Sequence, residues 1–149
     1  MTDAQHPAVT TTGDVHGELA RRLERARLGG SEKNRAKVVE SGKLLVRQRL
    51  ELLFDDGWSF EDGLLARFDE GLPGDAVVTC VGKVDGRDVA VIANDFTVKA
   101  GTWGKRTFEK ITRTQEIADE SGIPLAYLFD SAGARIDEQF ESYAGRRAW

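Results

Sequence analysis

The sequence predicts an α/β domain that follows a helical N-terminal arm, and three observations lead to this fold class. Apolar residues recur at helical spacing up to Phe54, whereas short apolar runs of strand length begin after Trp58. Asp85-Gly86 separates two of these runs, and this dipeptide tolerates the positive φ angles of a tight hairpin turn. A third run, residues 125–129, follows an amphipathic segment. Helices, hairpin, helix and strand in this order suit a layered α/β domain.

A polar tail is expected to precede a basic helical arm at residues 14–57, which is predicted to contain two helices. Residues 1–13 are small and polar, and we expect them to be disordered. Asp14 is expected to cap a helix that runs to about Leu28, and Gly29-Gly30 is expected to end it. A second helix is predicted over residues 41–54. Its apolar stripe is predicted to consist of Leu44, Leu45, Gln48, Leu52 and Leu53.

The α/β part is expected to occupy residues 58–149. Residues 76–84 and 88–94 are predicted to pair as antiparallel strands across the hairpin turn. A helix over residues 105–121 is expected to end at Gly122 and Pro124 and to lead into the strand at 125–129. Its buried stripe is predicted to be Phe108, Ile111, Gln115 and Ala118.

Composition limits the function classes. The chain has 149 residues, 40% of them apolar and 31% charged, which suits one modest globular domain. One cysteine, Cys80, excludes an intrachain disulfide framework and a Cys-based zinc cluster, and no metal site is predicted. No apolar run approaches the ~20 residues of a membrane span, and the N-terminus lacks the features of a signal peptide, so the sequence predicts a cytoplasmic protein.

Positive charge is concentrated in the arm. Between Glu18 and Leu50 there are ten Lys or Arg residues against four Asp or Glu residues, although the whole chain has a net charge of −4. One interpretation is a solvated helical surface; the other is contact with phosphate groups of a ligand or with an acidic neighbouring surface. Aromatic residues are absent before Phe54, which argues against nucleic-acid binding.

The segment LAYLFDSAGARI, residues 125–136, carries the strongest functional signal. Ligands of open α/β sheets bind beyond the carboxyl ends of the strands, and here the strand is followed by Asp130, Ser131 and three small residues. Ala132, Gly133 and Ala134 leave backbone N–H groups accessible to a ligand oxygen, which is the geometry of an oxyanion hole.

Three segments together resemble the carboxyltransferase (β) subunit of biotin-dependent acyl-CoA carboxylases, of the propionyl-CoA carboxylase type. They are RLGGSEKNRAKVVESGKLLVRQRLELLFDDGWSFED, PGDAVVTCVGKVDGRDVAVIANDFTVKAGTWGKRTFEKI and LFDSAGARIDE, which span roughly residues 25–138. The resemblance implies a crotonase-like fold and carboxyl transfer from carboxybiotin to the α-carbon of an acyl-CoA. It also implies biotin on a partner carrier protein, a biotin carboxylase or carrier subunit as partner, and a homo-oligomer, expected to be a hexamer. The chain would then be the N-terminal part of such a subunit, cut within the first of two crotonase-like halves.

The resemblance also assigns roles to residues. The family usually has D-S-G-G-A-R after the strand, and the N–H groups of its glycine pair, here Ala132 and Gly133, would stabilise a thioester enolate. Alanine keeps the N–H but restricts φ. The family's G-G-S-x-G stretch corresponds here to residues 100–104, which would place Gly101, Thr102 and Gly104 at the substrate, together with Ala134 and Arg135. The alternative for 100–104 is a tight connection between strand and helix.

Some alternatives stay open on the sequence alone. Arg135 could pair a CoA phosphate or carboxybiotin and Asp130 could act as a base, or both could hold the turn together, which we favour because biotin supplies the base in the family. Trp103 could narrow an acyl pocket or simply pack. A non-catalytic, crotonase-like protein that binds acyl-CoA or another subunit is the alternative function. A second Gly/Ala-rich turn further along the sequence would favour the enzyme.

Overall fold

The computed structural model describes residues 12–139, so residues 1–11 of the predicted tail and the predictions for residues 140–149 lie outside the described residues. Thr12 and Gly13, which were predicted to belong to the disordered tail, are helical instead. The helices are α1 (Thr12–Leu28), α2 (Glu32–Glu40), α3 (Val46–Leu53) and α4 (Lys105–Ser121). The strands are β1 (Trp58–Asp62), β2 (Val77–Val84), β3 (Arg87–Asn94) and β4 (Leu125–Leu128). In the described range, no helix combines the length and the apolar character needed to cross a membrane.

The described strands form one sheet in the order β1-β2-β3-β4. The β1–β2 and β2–β3 pairs are antiparallel, and β4 runs parallel to β3. The predicted hairpin is confirmed: Asp85 and Gly86 have φ angles of 49° and 73°. The Asp55 carboxylate accepts the N–H groups of both turn residues, at 3.0 and 2.9 Å, and so ties the end of the arm to the hairpin.

The sheet is covered on both faces, which explains why β2 and β3 read as nearly continuous apolar runs. Alternate residues of a strand point to opposite faces. The α3 face buries Val46, Leu50, Phe54, Val78, Cys80, Val91 and Ala93. The α4 face buries Val77, Ile92 and Ile111. Because α3 supplies part of this core, the arm is packed onto the α/β part.

The arm differs from its prediction in an additional helix. Ser31 caps α2 by accepting the Asn34 N–H at 3.3 Å, in a stretch to which no helix was assigned from the sequence. The helix predicted to start at Ser41 begins at Val46, because the chain turns at the end of α2 first. The prediction that Asp14 is an N-cap is wrong as well, since α1 begins at Thr12 and Asp14 lies in its first turn.

The predicted apolar stripe of α3 is also wrong. Leu50 is fully buried, whereas Leu52 is 76% exposed. Val46, Leu50 and Phe54 recur every fourth residue and therefore share one face of the helix, and Leu52 lies on the opposite side. Leu44 precedes the helix and is exposed.

The bounds of α4 are confirmed, and Gly122 ends the helix with a left-handed φ of 63°. Its buried face is more polar than predicted: Gln115 is exposed, and Thr107, Lys110 and Thr114 are buried. The Lys110 ammonium donates to the carbonyls of Gly74 at 2.8 Å and Val77 at 2.6 Å. Burial lowers the pKa of Lys110 to about 8.

Two leucines of α3 provide a matched test of this packing. Leu50→Ala should lower the free energy of unfolding by about 2–5 kcal/mol, because it leaves a cavity beneath the sheet. Leu52→Ala should change it by less than about 0.5 kcal/mol, because its side chain is exposed. Urea denaturation measures both. Equal losses would contradict the position of α3.

The buried Lys110 predicts a pH dependence of stability. Its folded pKa of about 8 lies below the ordinary value of 10.5, so the unfolded chain binds more protons between these two pH values. Stability contributed by this group should therefore rise with pH in that window, by up to about 1.4 kcal/mol per pH unit. The measurement is the stability difference between wild type and Lys110→Met at pH 7.5, 9 and 10. A difference that does not vary with pH would contradict the shifted pKa.

Candidate oxyanion site after strand β4

The chain after β4 forms a loop, residues 129–135, that lies against the segment leading into α4. The Trp103 N–H donates to the Gly133 carbonyl at 2.9 Å, and the Arg135 N–H donates to the Trp103 carbonyl at 2.7 Å. The Ala132 N–H donates to the Ala100 carbonyl at 3.0 Å. The structure therefore brings together the two segments that the sequence analysis singled out, residues 100–104 and 130–135.

Ala132 is one of the two predicted oxyanion donors, and its N–H is already engaged within the chain. Its N–H is bonded to Ala100 inside the chain and is unavailable to a ligand in this conformation. The φ angle of Ala132 is not among the positive ones, so alanine fits this position without backbone strain. A ligand oxygen could reach this N–H only after the bond to Ala100 opens.

Gly133 and Ala134 offer the accessible donors of the loop. The Gly133 N–H contacts the hydroxyl of Ser131 at 3.1 Å, an exposed group that can rotate away. In a trans peptide the C=O and N–H point in opposite directions, so the carbonyl of Gly133, directed at Trp103, turns the N–H of Ala134 outward. Within residues 12–139 that N–H has no hydrogen-bond partner.

Gly133 has a conformation that suits this arrangement. Its φ of 116° is one that side chains disfavour, and a Cβ built there meets no atom within 4 Å. Glycine is therefore required by the backbone angle, and the space around it is open.

Gly101 and Gly104 permit close packing between the two segments. A Cβ at Gly101, whose φ is 66°, would lie 2.3 Å from the Asp130 carbonyl oxygen. A Cβ on Gly104 would lie 2.1 Å from Glu138 Oε2. Thr102 closes the local turn, because its hydroxyl donates to the Lys99 carbonyl at 2.8 Å. These contacts support the alternative interpretation of residues 100–104 as a tight connection.

The N-terminus of α4 binds a carboxylate of the chain itself. Glu138 Oε2 accepts the Lys105 N–H at 3.0 Å, so this side chain takes the position where a helix could receive a phosphate. Arg67 also donates to Glu138, and these contacts hold the pKa of its carboxyl below the ordinary value against the opposing effect of burial. The N-terminus of α4 is therefore occupied by a side chain of the chain itself.

Asp130 is paired with the arm. The Lys43 ammonium lies 2.8 Å from Asp130 Oδ1 and 4.5 Å from the ring centre of Phe96. This ion pair ties the start of the loop to the segment between α2 and α3. The geometry supports the interpretation that Asp130 holds the turn.

Arg135 lies inside the protein. Its side chain is 1% exposed, and its guanidinium donates to the carboxylate of Asp75 and, at 3.3 Å, to Glu138. A CoA phosphate or carboxybiotin could not reach it without displacing Asp75. The structure thus supports the interpretation that Arg135 holds the turn together, from inside the protein.

Trp103 packs among aromatic residues beside the loop. Its ring stacks on Phe129 at a centroid distance of 5.6 Å and meets the edge of Phe108 at 5.6 Å. Tyr127 continues the stack at 5.1 Å from Phe129, which is 62% exposed. An aromatic surface therefore borders the loop on the α4 side of the sheet.

A cleft of about 350 Å³ lies beside the loop, and Ala100 belongs to its lining. Its residues come from α2, from the segment that follows it and from the turn after β3. They are Asn34, Lys37, Val38, Ser41, Lys43, Phe96, Lys99 and Ala100. The cleft combines apolar lining residues with three lysines. Its lining includes Ala100, whose carbonyl accepts the bond that holds the loop.

The remaining sequence candidates lie away from this site. Cys80 is buried beneath α3, and burial raises the pKa of its thiol to about 12, so it is protonated at neutral pH. His16 is exposed on α1. The side chains described in residues 14–139 include no cluster of three or more His, Cys, Asp or Glu able to hold a metal ion.

Sequence reasoning missed the long-range partners of the loop. Asp75, Glu138 and Lys43 were not identified. Pro73, Gly74 and Asp75 form a recognisable turn signal, but its contact with Arg135 joins residues 60 positions apart, and local patterns carry no information about such a pair.

Comparison with known proteins identifies the family of the chain. The model of the carboxyl transferase domain family matches residues 37–147. The chain is 53% identical over 90% of its length to the carboxylase YngE of Bacillus subtilis, of which it covers 26%. It is 40% identical over 91% of its length to the carboxyltransferase subunit of propionyl-CoA carboxylase from Haloferax mediterranei, of which it covers 28%.

A solved structure shows the same fold. The crystal structure of the transcarboxylase 12S hexamer with methylmalonyl-coenzyme A and methylmalonic acid bound superposes with a TM-score of 0.81 at 32% identity. The match covers 89% of this chain and 28% of that one. The chain thus spans about a quarter of the length of the proteins it matches. Because the family model covers most of the chain, the fold is crotonase-like and the chain belongs to the carboxyl transferase domain family.

Proposed function

We propose that this chain supplies the acyl-CoA side of a carboxyltransferase, which moves a carboxyl group from carboxybiotin to the α-carbon of an acyl-CoA. One observation supports this proposal above the others: the loop after β4 presents the N–H groups of Gly133 and Ala134 on an exposed surface of small residues. Backbone donors at the carboxyl end of a strand are suited to bind a thioester oxygen.

The reaction requires such donors because the α-proton of a thioester is weakly acidic. Its removal moves negative charge onto the thioester oxygen, and donors already fixed in place stabilise that charge without reorganising. Removing one well-placed donor of this kind costs about 2.7–4 kcal/mol of the barrier. The proposed pair is Gly133 and Ala134, with Ala132 holding the loop through Ala100.

The described residues supply no general base beside these donors. Asp130, the carboxylate at the start of the loop, is paired with Lys43. In the proposed reaction, carboxybiotin on a carrier protein brings both the carboxyl group and, after its release, the base. The exposed residues 131–134 do not enclose a biotin ring, so we assign no biotin contact to this chain.

The CoA part of the substrate is proposed to lie in the lysine-lined cleft. Val38, Phe96 and Ala100 offer apolar surface for an adenine, and Lys37 can meet a phosphate. Lys43 and Lys99 are ion-paired with Asp130 and Asp137, so they would add charge to the cleft without giving up these contacts. Ala100 lines the cleft and also bonds the loop, so a nucleotide in the cleft would lie next to a thioester at the loop. Under this assignment, lysines of the arm supply the phosphate contact that was one interpretation of its positive charge.

The wider assembly is part of the same proposal. We propose a biotin carboxylase or carrier subunit as partner, a homo-oligomer that is hexameric, and a cytoplasmic location. The second candidate function is acyl-CoA binding without turnover. Carboxyl transfer by the full-length subunit with its biotinylated carrier distinguishes the two.

Gly133→Val tests the donor loop in the full-length subunit. A β-branched residue is strained at a φ of 116° and displaces the neighbouring N–H groups, so kcat should fall about a hundredfold or more while KM for acyl-CoA changes little. Steady-state kinetics measure the effect, and a melting curve checks the fold.

Two neighbours serve as controls. Ala132→Gly should be mild, because it gives the residue usual in the family and keeps the bond to Ala100. Asp130→Asn should retain most of kcat, because only the ion pair with Lys43 is lost. A folded, active Gly133→Val together with an inactive Asp130→Asn would overturn the backbone-donor mechanism.

Lys37→Glu tests the cleft against Lys33→Glu, an exposed position of the same helix that does not line it. Loss of a charged phosphate contact is worth about 1.5 kcal/mol, so Lys37→Glu should raise KM for acyl-CoA roughly tenfold, more at low salt. KM for an acyl-pantetheine, which lacks the nucleotide, should not change. Equal effects of both substitutions would point to general charge attraction.

A further inference from the structure

We propose that Asp75 is a positioning residue of the oxyanion loop, acting through Arg135. It lies in the turn Pro73–Ala76 that leads into β2, and its side chain is fully buried. This inference rests on the proposed function for the reaction that it affects, but the position of the loop can be measured without that reaction.

Asp75 connects the turn in which it lies with both the loop after β4 and the first turn of α4. One carboxylate oxygen accepts from the Arg135 guanidinium, and the other accepts the Thr107 hydroxyl at 2.7 Å. Its backbone carbonyl accepts from the same two side chains, at 3.3 and 3.0 Å. The carboxylate therefore joins the loop to the first turn of α4 across the interior.

The connection from Asp75 to the proposed donors is short. Arg135 is two residues beyond Gly133, and its own N–H is bonded to the Trp103 carbonyl. Its guanidinium also contacts Glu138, which caps α4. Movement of Arg135 would therefore release the C-terminal end of the loop and shift the N–H groups of Gly133 and Ala134.

The backbone around Asp75 is strained in a way that this role explains. Gly74, Asp75 and Ala76 have consecutive positive φ angles of 65°, 53° and 64°. Such a run persists only where the surroundings fix it, and strained backbone is concentrated at functional sites. Lys110 fixes the turn by donating to the Gly74 and Val77 carbonyls, so the Asp75 carboxylate is directed into the interior.

The test uses Asp75→Asn in the full-length subunit, because asparagine tolerates the left-handed conformation and keeps an oxygen for Thr107. The first readout is amide hydrogen exchange of residues 130–135. Exchange should accelerate about tenfold or more as the loop opens locally. The second readout is kcat, which should fall about ten- to a hundredfold with KM for acyl-CoA nearly unchanged.

Two further variants separate positioning from general stability. Asp75→Asn/Arg135→Met removes both buried charges, so it should recover melting temperature relative to Asp75→Asn without recovering kcat. Thr107→Val should lower the melting temperature and leave exchange in the loop close to wild type. If Asp75→Asn does not fold, Arg135→Lys, which keeps the charge and loses the second contact, takes its place.

The outcomes are distinguishable from failure of the proposed function. Unchanged exchange in residues 130–135 of folded Asp75→Asn would overturn the positioning role, whatever the activity. Recovery of kcat together with melting temperature in the double variant would also overturn it. A wild-type subunit that transfers no carboxyl group would contradict the proposed function, while the exchange experiment would still decide the role of Asp75.

Discussion

The buried ion pair between Asp75 and Arg135 constrains the whole candidate site. Its side chains are 0% and 1% exposed, so both charges have lost their hydration. Such burial is tolerated only where further hydrogen bonds satisfy most of the polar atoms; Thr107 and Glu138 provide two of these bonds, while Arg135 Nε has no partner among the described residues. Removing one partner from a buried pair typically costs 3–5 kcal/mol, so the loop and the turn before β2 are fixed relative to each other.

A second ion pair anchors the opposite end of the loop. Lys43, in the arm, meets Asp130, and between the two anchors stand only Ser131 and three small residues. Because both ends of the loop are anchored and its middle has only small side chains, its backbone N–H groups are held in place at the surface. Electrostatic stabilisation of a developing charge requires donors that are fixed in this way. The arm is thus part of the site, and some of its positive charge is used inside the chain. Arg47, for example, makes a two-point contact with Glu61 at 2.8 Å.

Sequence reasoning succeeded where local physics decides. The bounds of α4 follow from apolar periodicity and a terminal glycine, and the hairpin follows from Asp85-Gly86. It failed where a local signal was overlooked. Ser31 followed by Glu32 is an N-cap signal for α2, and the alternation in WSFED predicts β1, yet neither was used.

Other features of the site depend on distant partners. The segments that form it were identified from small residues after a strand, and the pair of donors that we propose lies one residue beyond the predicted pair, Ala132 and Gly133. Which N–H groups face outward depends on the bond between Ala132 and Ala100 and on the Trp103 bridge, both set by tertiary packing. Similarly, the N-terminus of α4 is capped by Glu138, which lies 33 residues beyond Lys105 in the sequence.

A structure of the full-length subunit with a bound acyl-CoA tests the central claim most directly. The account predicts the thioester oxygen within about 2.7–3.1 Å of the N–H nitrogens of Gly133 and Ala134, with Ala132 still bonded to Ala100. A thioester bound away from this loop, or held by the Ala132 N–H after its bond to Ala100 has opened, would contradict it.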